Sequence, residues 1–577
     1  MGLNNAIDIG RSSITASQAG IQVTANNLAN ISTRGFARRV VSLEPSRGVR
    51  DGGVFVGRGV DLADVRRQAS ESVQRRLRAS IGDEAGARES ANLRTGLESI
   101  LNELSGQDLS SRLNDFFNAW SERANLTQSS SVVVQEGVQL AGFVRGLDEQ
   151  LVDLRNSIDA ELGSLVSRAE QLSSQVASLN REIVSAEVGG AMANALRDQR
   201  DVVIDELSEL LDVEAVEQPS GAVDLVVGSE PIVTGSRARS LVLDRRSGAQ
   251  GVEVRVRVGA DGRELRVDSG RIGALLDERG RSVEQTRRSL DLVAGELIAG
   301  VNRLHATGTN EAGLTRAQSL RAMSVTDRAI AFNDPASGAM EGVPGEVRNG
   351  GFFVHVTHSA TGATEQVRVD VDLDGLDSGL APGTGDDTSP ADVAAQLDAI
   401  DGISAGFAPD GRLVIEASAG FEFRFADDTS GVLGALGVNA YFTGTGASDI
   451  GVREELEREP SLLQSGRMES GTLVENGTAL AIARLQDEPL DGLDGRSLRG
   501  AWQDRVQAVG SETERALDRA EATTTIREGL ESQRAVVSGV SADEESVNLL
   551  AFQRQFQGAA RVISVADELL QTLISIV

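Results

Sequence analysis

Asp370, Asp372 and Asp374 alternate along QVRVDVDLDG and are followed by Gly375, which is how a calcium-binding loop opens. Such a loop closes on a bidentate Glu at its twelfth position, and that position here is Ala381. Val367, Val369, Val371 and Leu373 alternate with the acids, so an exposed strand face accounts for them. The spacing alone does not assign a cation to Asp370, Asp372 and Asp374. His355 and His358 flank a strand end without a third ligand, which favours strand-surface positions over a metal site. His305 stands where the helix of NRLHATGTN should end, and is expected to cap its last carbonyls. A glycosidase-like carboxylate pair needs a dry pocket and usually aromatic rings against the sugar. Aromatic residues make up only 3% of this chain, and no nucleophile elbow, P-loop or dinucleotide fingerprint occurs. With no cysteine there is no thiolate nucleophile and no disulfide. The expectation is a non-enzyme with no cofactor and no metal.

The formal net charge is −30, and every basic side chain is Arg. Nucleic acid binding needs concentrated positive charge, so it is not expected. Residues 34–78 depart from the balance with eleven Arg against five acids, and read as a solvated loop and helix face. No apolar run approaches the roughly 20 residues that span a bilayer. The first residues lack a charged stretch followed by an apolar core, so no ordinary secretory signal is expected. The length of 577 residues suits about three to four domains.

Two apolar seams lie at the chain ends. Leu549, Phe556, Ile563, Leu570 and Val577 fall seven apart, with Phe552, Ala559, Ala566 and Leu573 between them. Ile7, Ile14, Ile21 and Leu28 repeat the interval at the N-terminus. A 3.5-residue apolar repeat asks for a partner helix, since one helix alone leaves the stripe in water. Residues 3–30 therefore read as helix, 36–65 as extended and Gly-rich, and about 66–213 as helical. The long run from Leu147 through Leu151, Ile158, Leu165, Leu172 and Leu179 to Ile183 has coiled-coil spacing. From residue 214 the period becomes two, in AVDLVV, SLVLD, GVEVRVRV and ELRV. Helical period returns over Ile272 to Leu304. A strand-rich acidic stretch occupies about 316–450, and the chain after 451 reads as helical apart from a loop at 486–500.

Ala25, Asn26, Asn27, Leu28, Ala29 and Asn30, followed by Thr33, Gly35, Phe36 and Arg38, resemble the N-terminal signature of bacterial flagellar rod, hook and hook-associated proteins. GVSADEESVNLLAFQRQFQGAARVISVADELLQTL resembles the C-terminal end of the same group. The length, ALRDQRDVVIDELSEL (195–210), VNRLHATG (301–308) and DDTSGVLGALGVNAYFTG (427–444) narrow the likeness to the hook-associated protein 1 (FlgK) family. Phe36 stands where that group commonly has Tyr, and Phe556 likewise departs from it.

The resemblance implies a structural subunit of the flagellum at the hook–filament junction. Such a subunit is assembled on the hook end after type III export and is required for filament assembly and motility. It implies transient residence in the cytoplasm, then an extracellular place in the axial tube. Its partners would be its own copies in a ring, the hook protein, the second hook-associated junction protein, and an export chaperone at the C-terminal helix. Neither nucleic acid nor membrane insertion belongs to that picture.

The expected fold is multidomain α+β: a long antiparallel helical and coiled-coil stalk formed by both chain ends, with two β-rich inserted domains. Residues 1–40 and 541–577 would be paired terminal helices forming the inner assembly domain. Residues 41–213, 270–315 and 451–540 would form the helical stalk, 214–269 the first β-rich insert, and 316–450 the second, acidic one. The expected N-terminal assembly motif is Ala25, Asn26, Asn27, Leu28, Ala29, Asn30, Thr33, Gly35 and Phe36. The expected C-terminal seam is Leu549, Phe552, Phe556, Ala559, Ile563, Ala566, Leu570 and Leu573. Rival readings are another axial protein (hook or rod subunit), a secreted hydrolase with its site in 316–450, and a cytoplasmic coiled-coil scaffold.

Overall fold

The structure, a computed structural model, describes residues 2–51, 54–102, 106–190, 192–248, 251–259, 262–376 and 382–576. Val577 and Ala381 lie outside the described residues. The chain forms two compact units: Met1–Arg94, Ser157–Gly280 and Thr513–Val577 make the first, Thr95–Asn156 and Arg281–Glu512 the second.

In the first unit the N-terminal helix, Gly2–Ala29, lies against the C-terminal helix, Ala542–Ile576. Asp543, Glu544 and Glu545 occupy the first turn of the C-terminal helix, where the helix dipole favours negative charge. Behind the N-terminal helix runs an antiparallel strand pair, Arg39–Pro45 with Val60–Arg67, in the register Arg39 opposite Arg67. A smaller hairpin, Val49–Asp51 with Val54–Val56, extends the connection between these strands.

A ladder of ion pairs holds this region to the helix Asn194–Leu210. Asp198, Asp201 and Asp205 stand three and four residues apart, so one helix face presents all three. Asp198 meets Arg39 at 3.4 Å and Arg67 at 3.0 Å. Asp201 meets Arg67 at 2.7 Å and Arg78 at 2.9 Å. Asp205 meets Arg78 at 2.8 Å and Arg534 at 3.3 Å. Burial works against ionisation of Asp201, but the guanidiniums of Arg78 and Arg67 outweigh it and hold its carboxyl below the usual range. At Asp198 burial wins over Arg67 and Arg39, and the carboxyl is raised. The Arg-rich stretch is thus not simply a solvated face: Arg38, Arg39, Arg67 and Arg78 are mostly buried and paired, which offsets their desolvation.

Two small antiparallel sheets complete the unit. Val213–Glu217, Val223–Val227, Glu230–Thr234 and Arg237–Ala238 pair in sequence order, with Val223, Leu225 and Val227 buried on alternate positions. Leu241–Gly248, Gly251–Val258 and Glu264–Leu265 form a second, three-stranded sheet.

The second unit is built on an aromatic core. Phe116, Phe117 and Trp120 of the helix Leu109–Ala124 pack with Tyr441, Phe442 and Trp502. The helix Glu284–Ala306 buries Leu290, Val293, Leu297 and Val301 on one face against the same core. A turn of π-helix, Arg279–Val283, interrupts what the sequence presents as one helix from Ile272 to Leu304. A second core is enclosed by two three-stranded sheets and the helix Pro390–Asp398. One sheet centres on Gly350–His358, where Phe352, Val354 and Val356 are buried; Arg412–Ala417 is the middle strand of the other.

One expected stretch of helix is absent. Residues 459–476, expected to be helical, hold instead a single 3-10 turn and the strands Gly466–Glu469 and Thr472–Val474. The first of these strands pairs with Gly308–Thr309, just beyond the helix that ends at Ala306. Ser470 and Gly471 both adopt positive φ, the left-handed conformation that reverses the chain between the strands.

Candidate assembly interface at the chain ends

The terminal helices run antiparallel, as three points along them show. A Cβ on Gly10 would lie 2.6 Å from Ile563, and one on Gly20 would lie 2.6 Å from the Phe552 ring. At the far end Asn27 Nδ2 donates to Glu545 Oε2 at 3.0 Å. The N-terminal helix accommodates its partner by lacking side chains there. Its buried positions are Gly10, Ala16, Ser17, Gly20, Thr24 and Asn27, while Ile7, Ile14, Ile21 and Leu28 are only half-buried. The seam on this helix is therefore displaced by three residues from the isoleucine repeat, onto small residues that let the backbones approach.

On the C-terminal helix, Ala559 and Ala566 are buried, and Leu549, Phe552, Phe556, Ile563 and Leu570 are half-buried. Leu573, expected in the same seam, is exposed at 55%. The register that sets Gly10 beside Ile563 places the start of the N-terminal helix near Leu570, so Leu573 lies past the end of its partner. Glycine costs about 1 kcal/mol relative to alanine inside a helix. That cost is offset here because Ile563 and Phe552 fill the space beside Gly10 and Gly20.

A polar lock closes the other end. Glu545 is buried and accepts from Arg38 Nε at 2.8 Å and from Asn27. Asn27 also pairs with the backbone of Arg39 in both directions, at 2.9 and 3.0 Å. Arg38 reaches the exposed Glu544 at 3.0 Å, and its amide donates to Ser538 O. Helix, strand and C-terminal helix thus meet at one carboxylate. Glu545 escaped the sequence reading because its partners stand 518 and 507 residues away; an acid in a first helical turn carries no mark of such a role.

The rest of the N-terminal motif builds the turn after this lock. Asn30 Nδ2 donates to Asn26 O at 2.9 Å, and Thr33 Oγ1 donates to Asn30 Oδ1 at 3.2 Å. Ala25, Asn26, Ala29 and Thr33 are exposed. Gly35 has φ +81°, and a Cβ there would lie 2.2 Å from Val202, so both conformation and space require glycine. Phe36 lies under the Arg39 guanidinium, 5.0 Å from the ring centre.

In the second unit, two stretches that the sequence marked separately come together. Asn302 accepts from the amides of Tyr441 and Phe442 at 2.9 and 2.8 Å, and Asn439 donates to His305 O at 3.1 Å. His305 does not cap its helix; Asn439 does. The imidazole is fully buried, with Nδ1 2.7 Å from Asn439 O and Nε2 facing the amide of Gln464 at 3.3 Å. Nδ1 therefore donates and Nε2 accepts, the neutral tautomer. Burial, more than the bond to Asn439, sets its pKa, pushed down to about 3.

His355, expected at a strand surface, is buried at 4% exposure because its strand is the central one of its sheet. His358 meets the Phe421 ring edge to face, with the ring centres 4.9 Å apart. Asp370 lies on the strand Thr364–Val371, as the alternation implied, but Asp372 and Asp374 lie beyond its end. Their oxygens and one of Asp387 lie within 4.8 Å of one another. Asp387 already accepts from Asn333 at 2.8 Å and from the Gly375 amide at 3.4 Å.

Known proteins resemble this chain in sequence along its whole length. Residues 95–318 match the flagellar hook-associated protein FlgK helical domain, and residues 532–576 match the C-terminal region of the flagellar basal body rod FlgEFG proteins. Flagellar hook-associated protein 1 of Bacillus subtilis (strain 168) is 25% identical over 597 aligned positions, covering 100% of this chain and 98% of that protein. The Escherichia coli (strain K12) protein of the same name is 23% identical, covering 100% and 99%. Over its full length the chain is similar to flagellar hook-associated protein 1. The flagellar hook junction protein FlgK from Burkholderia pseudomallei shares the fold with a TM-score of 0.51 at 14% identity, covering 80% of this chain and 100% of that one. The rod-protein match includes the C-terminal helix that carries Glu545. No helix among the described residues is long and apolar enough to cross a membrane.

Proposed function

We infer that the chain is a structural subunit of the bacterial flagellum at the hook–filament junction, non-enzymatic, and required for filament assembly and swimming. The observation that carries the reading is the antiparallel pairing of the two chain ends, locked by Glu545, in a chain with full-length kinship to hook-associated protein 1. The pairing presents both ends as one helical rod, the form in which subunits can be laid side by side in a tube. In this reading the inner assembly domain is 1–40 with 541–577, and the strand-rich stretches 214–269 and 316–450 are inserted domains. The chain leaves the cytoplasm through the flagellar type III apparatus and is extracellular in its final place. Its partners are copies of itself, the hook protein, the second hook-associated junction protein, and an export chaperone at the C-terminal helix.

A strain lacking this chain should build complete hooks without filaments, as electron microscopy of sheared cells would show. Cells without hooks would instead make the chain a hook or rod subunit. Normal filaments would remove it from the axial structure altogether.

A further inference from the structure

The first unit carries an apolar knob and an apolar groove that do not meet within the chain. The knob is Phe55 on the small hairpin, 75% exposed. The base of this hairpin is tied to the start of the N-terminal helix, where Asn5 Nδ2 donates to Gly57 O at 3.3 Å and Arg58 pairs with Asp8 at 2.9 Å. The groove lies at the same end of the helix pair and encloses about 720 Å³ between Leu3, Ala6, Val562, Val565, Leu569 and Leu573. Four of these stay open to water: Val562 at 45%, Val565 at 48%, Leu569 at 52% and Leu573 at 55%. A cavity on the order of 150 Å³ is enough for a benzene ring, so the groove admits a phenyl side chain with room to spare.

We propose that Phe55 of one subunit seats in the groove between the terminal helices of the next copy of this chain. The inference rests on the junction reading above and names the contact that reading lacks. Three observations select a second copy as the occupant. Knob and groove are two different surfaces of one chain, which is what a head-to-tail contact requires; such contacts propagate, closing into a ring or continuing as a helix. The groove is continuous with the terminal-helix pair, the surface on which the junction reading already rests. The charges also match: exposed Arg47 precedes the hairpin and exposed Arg50 lies on it opposite Phe55, while exposed Asp567 and Glu568 adjoin Ala566 and Leu569 on a groove wall whose one basic lining residue is Arg561. In a chain of net charge −30, a basic hairpin beside an exposed phenyl ring fits an acidic-rimmed groove of its own kind.

The absence of native cysteine makes the test clean. A chain carrying Phe55→Cys and Leu569→Cys replaces the native one in cells, flagella are isolated, and mild oxidation is followed by non-reducing electrophoresis. The expected result is a ladder of two, three and more linked chains that neither single variant gives. Recovery of the double variant in swimming cells' flagella without a ladder overturns the contact and leaves the junction reading intact, as does linkage only to a different protein. Absence of the wild-type chain from flagella overturns both. In parallel, Phe55→Asp should lower the fraction of hooks bearing filaments at least tenfold with helix content unchanged, while Phe55→Leu retains it. Equal filament yields from the two also overturn the contact.

Discussion

Glu545 joins three segments of chain, so its removal strands the partners it holds. Taking away one member of a buried ion pair costs about 3–5 kcal/mol, because the other charge stays desolvated. Glu545→Ala should therefore free the C-terminal helix, measured as faster proteolytic loss of residues 542–576 from the purified chain. Glu544→Ala should change little, since Glu544 is 62% exposed and such pairs contribute about 0–1 kcal/mol. Comparable protease sensitivity in both variants would contradict the lock. His305 gives a prediction of opposite chemistry. Its folded pKa of about 3 lies below the ordinary 6.5, so the unfolded chain takes up the proton first as pH falls. Its contribution is complete above pH 6.5 and is lost by about 1.4 kcal/mol per pH unit toward pH 3. Urea denaturation of the chain between pH 7 and 4 should show that slope, reduced in His305→Gln; identical slopes would refute the assignment. The sequence marked His305 and the stretches 301–308 and 427–444 as notable but did not show the use of Asn302 and Asn439 within them. Asn302 contacts a loop 139 residues away, and only the fold makes that pairing visible.

At the scale of elements, the chain ends were the most legible part, because a 3.5-residue period has one physical meaning wherever it occurs. Which face of each helix would be buried was less legible. Apolar bulk pointed to Ile7, Ile14, Ile21 and Leu28, yet Gly10, Ser17, Gly20 and Thr24 are buried more deeply. Small residues bury by permitting approach, which a hydrophobicity pattern does not register. Gly20→Leu should consequently displace Phe552 and destabilise the helix pair by about 1–3 kcal/mol. Gly558→Ala, with nothing within 4 Å of the new Cβ, should stabilise the free subunit by about 0.5–1 kcal/mol. Circular dichroism melts of the two variants would decide; a stabilised Gly20→Leu would contradict the observed approach. The strands at 466–474 were missed because they are short and one pairs with Gly308–Thr309, a partner no local pattern indicates. The strands at 223–227 and 251–258 were legible because apolar residues recur at alternate positions, Val223, Leu225 and Val227 in the first and Val252, Val254, Val256 and Val258 in the second.

For the whole molecule, the functional conclusion depends on its extremities more than on either core. The acid stripe of Asp198, Asp201 and Asp205 could be read from sequence as one face of a helix. That it joins Arg39, Arg67, Arg78 and Arg534 from four separate stretches could not. The same long-range dependence governs the ends, since the C-terminal helix finds its partner at the opposite end of the chain. Complementation with a chain lacking residues 541–577 examines that dependence directly, with filaments counted on hooks by electron microscopy. The account predicts bare hooks and no swimming from the truncated chain, and restored filaments from the full one. Filaments of normal number on cells carrying only the truncated chain would contradict it.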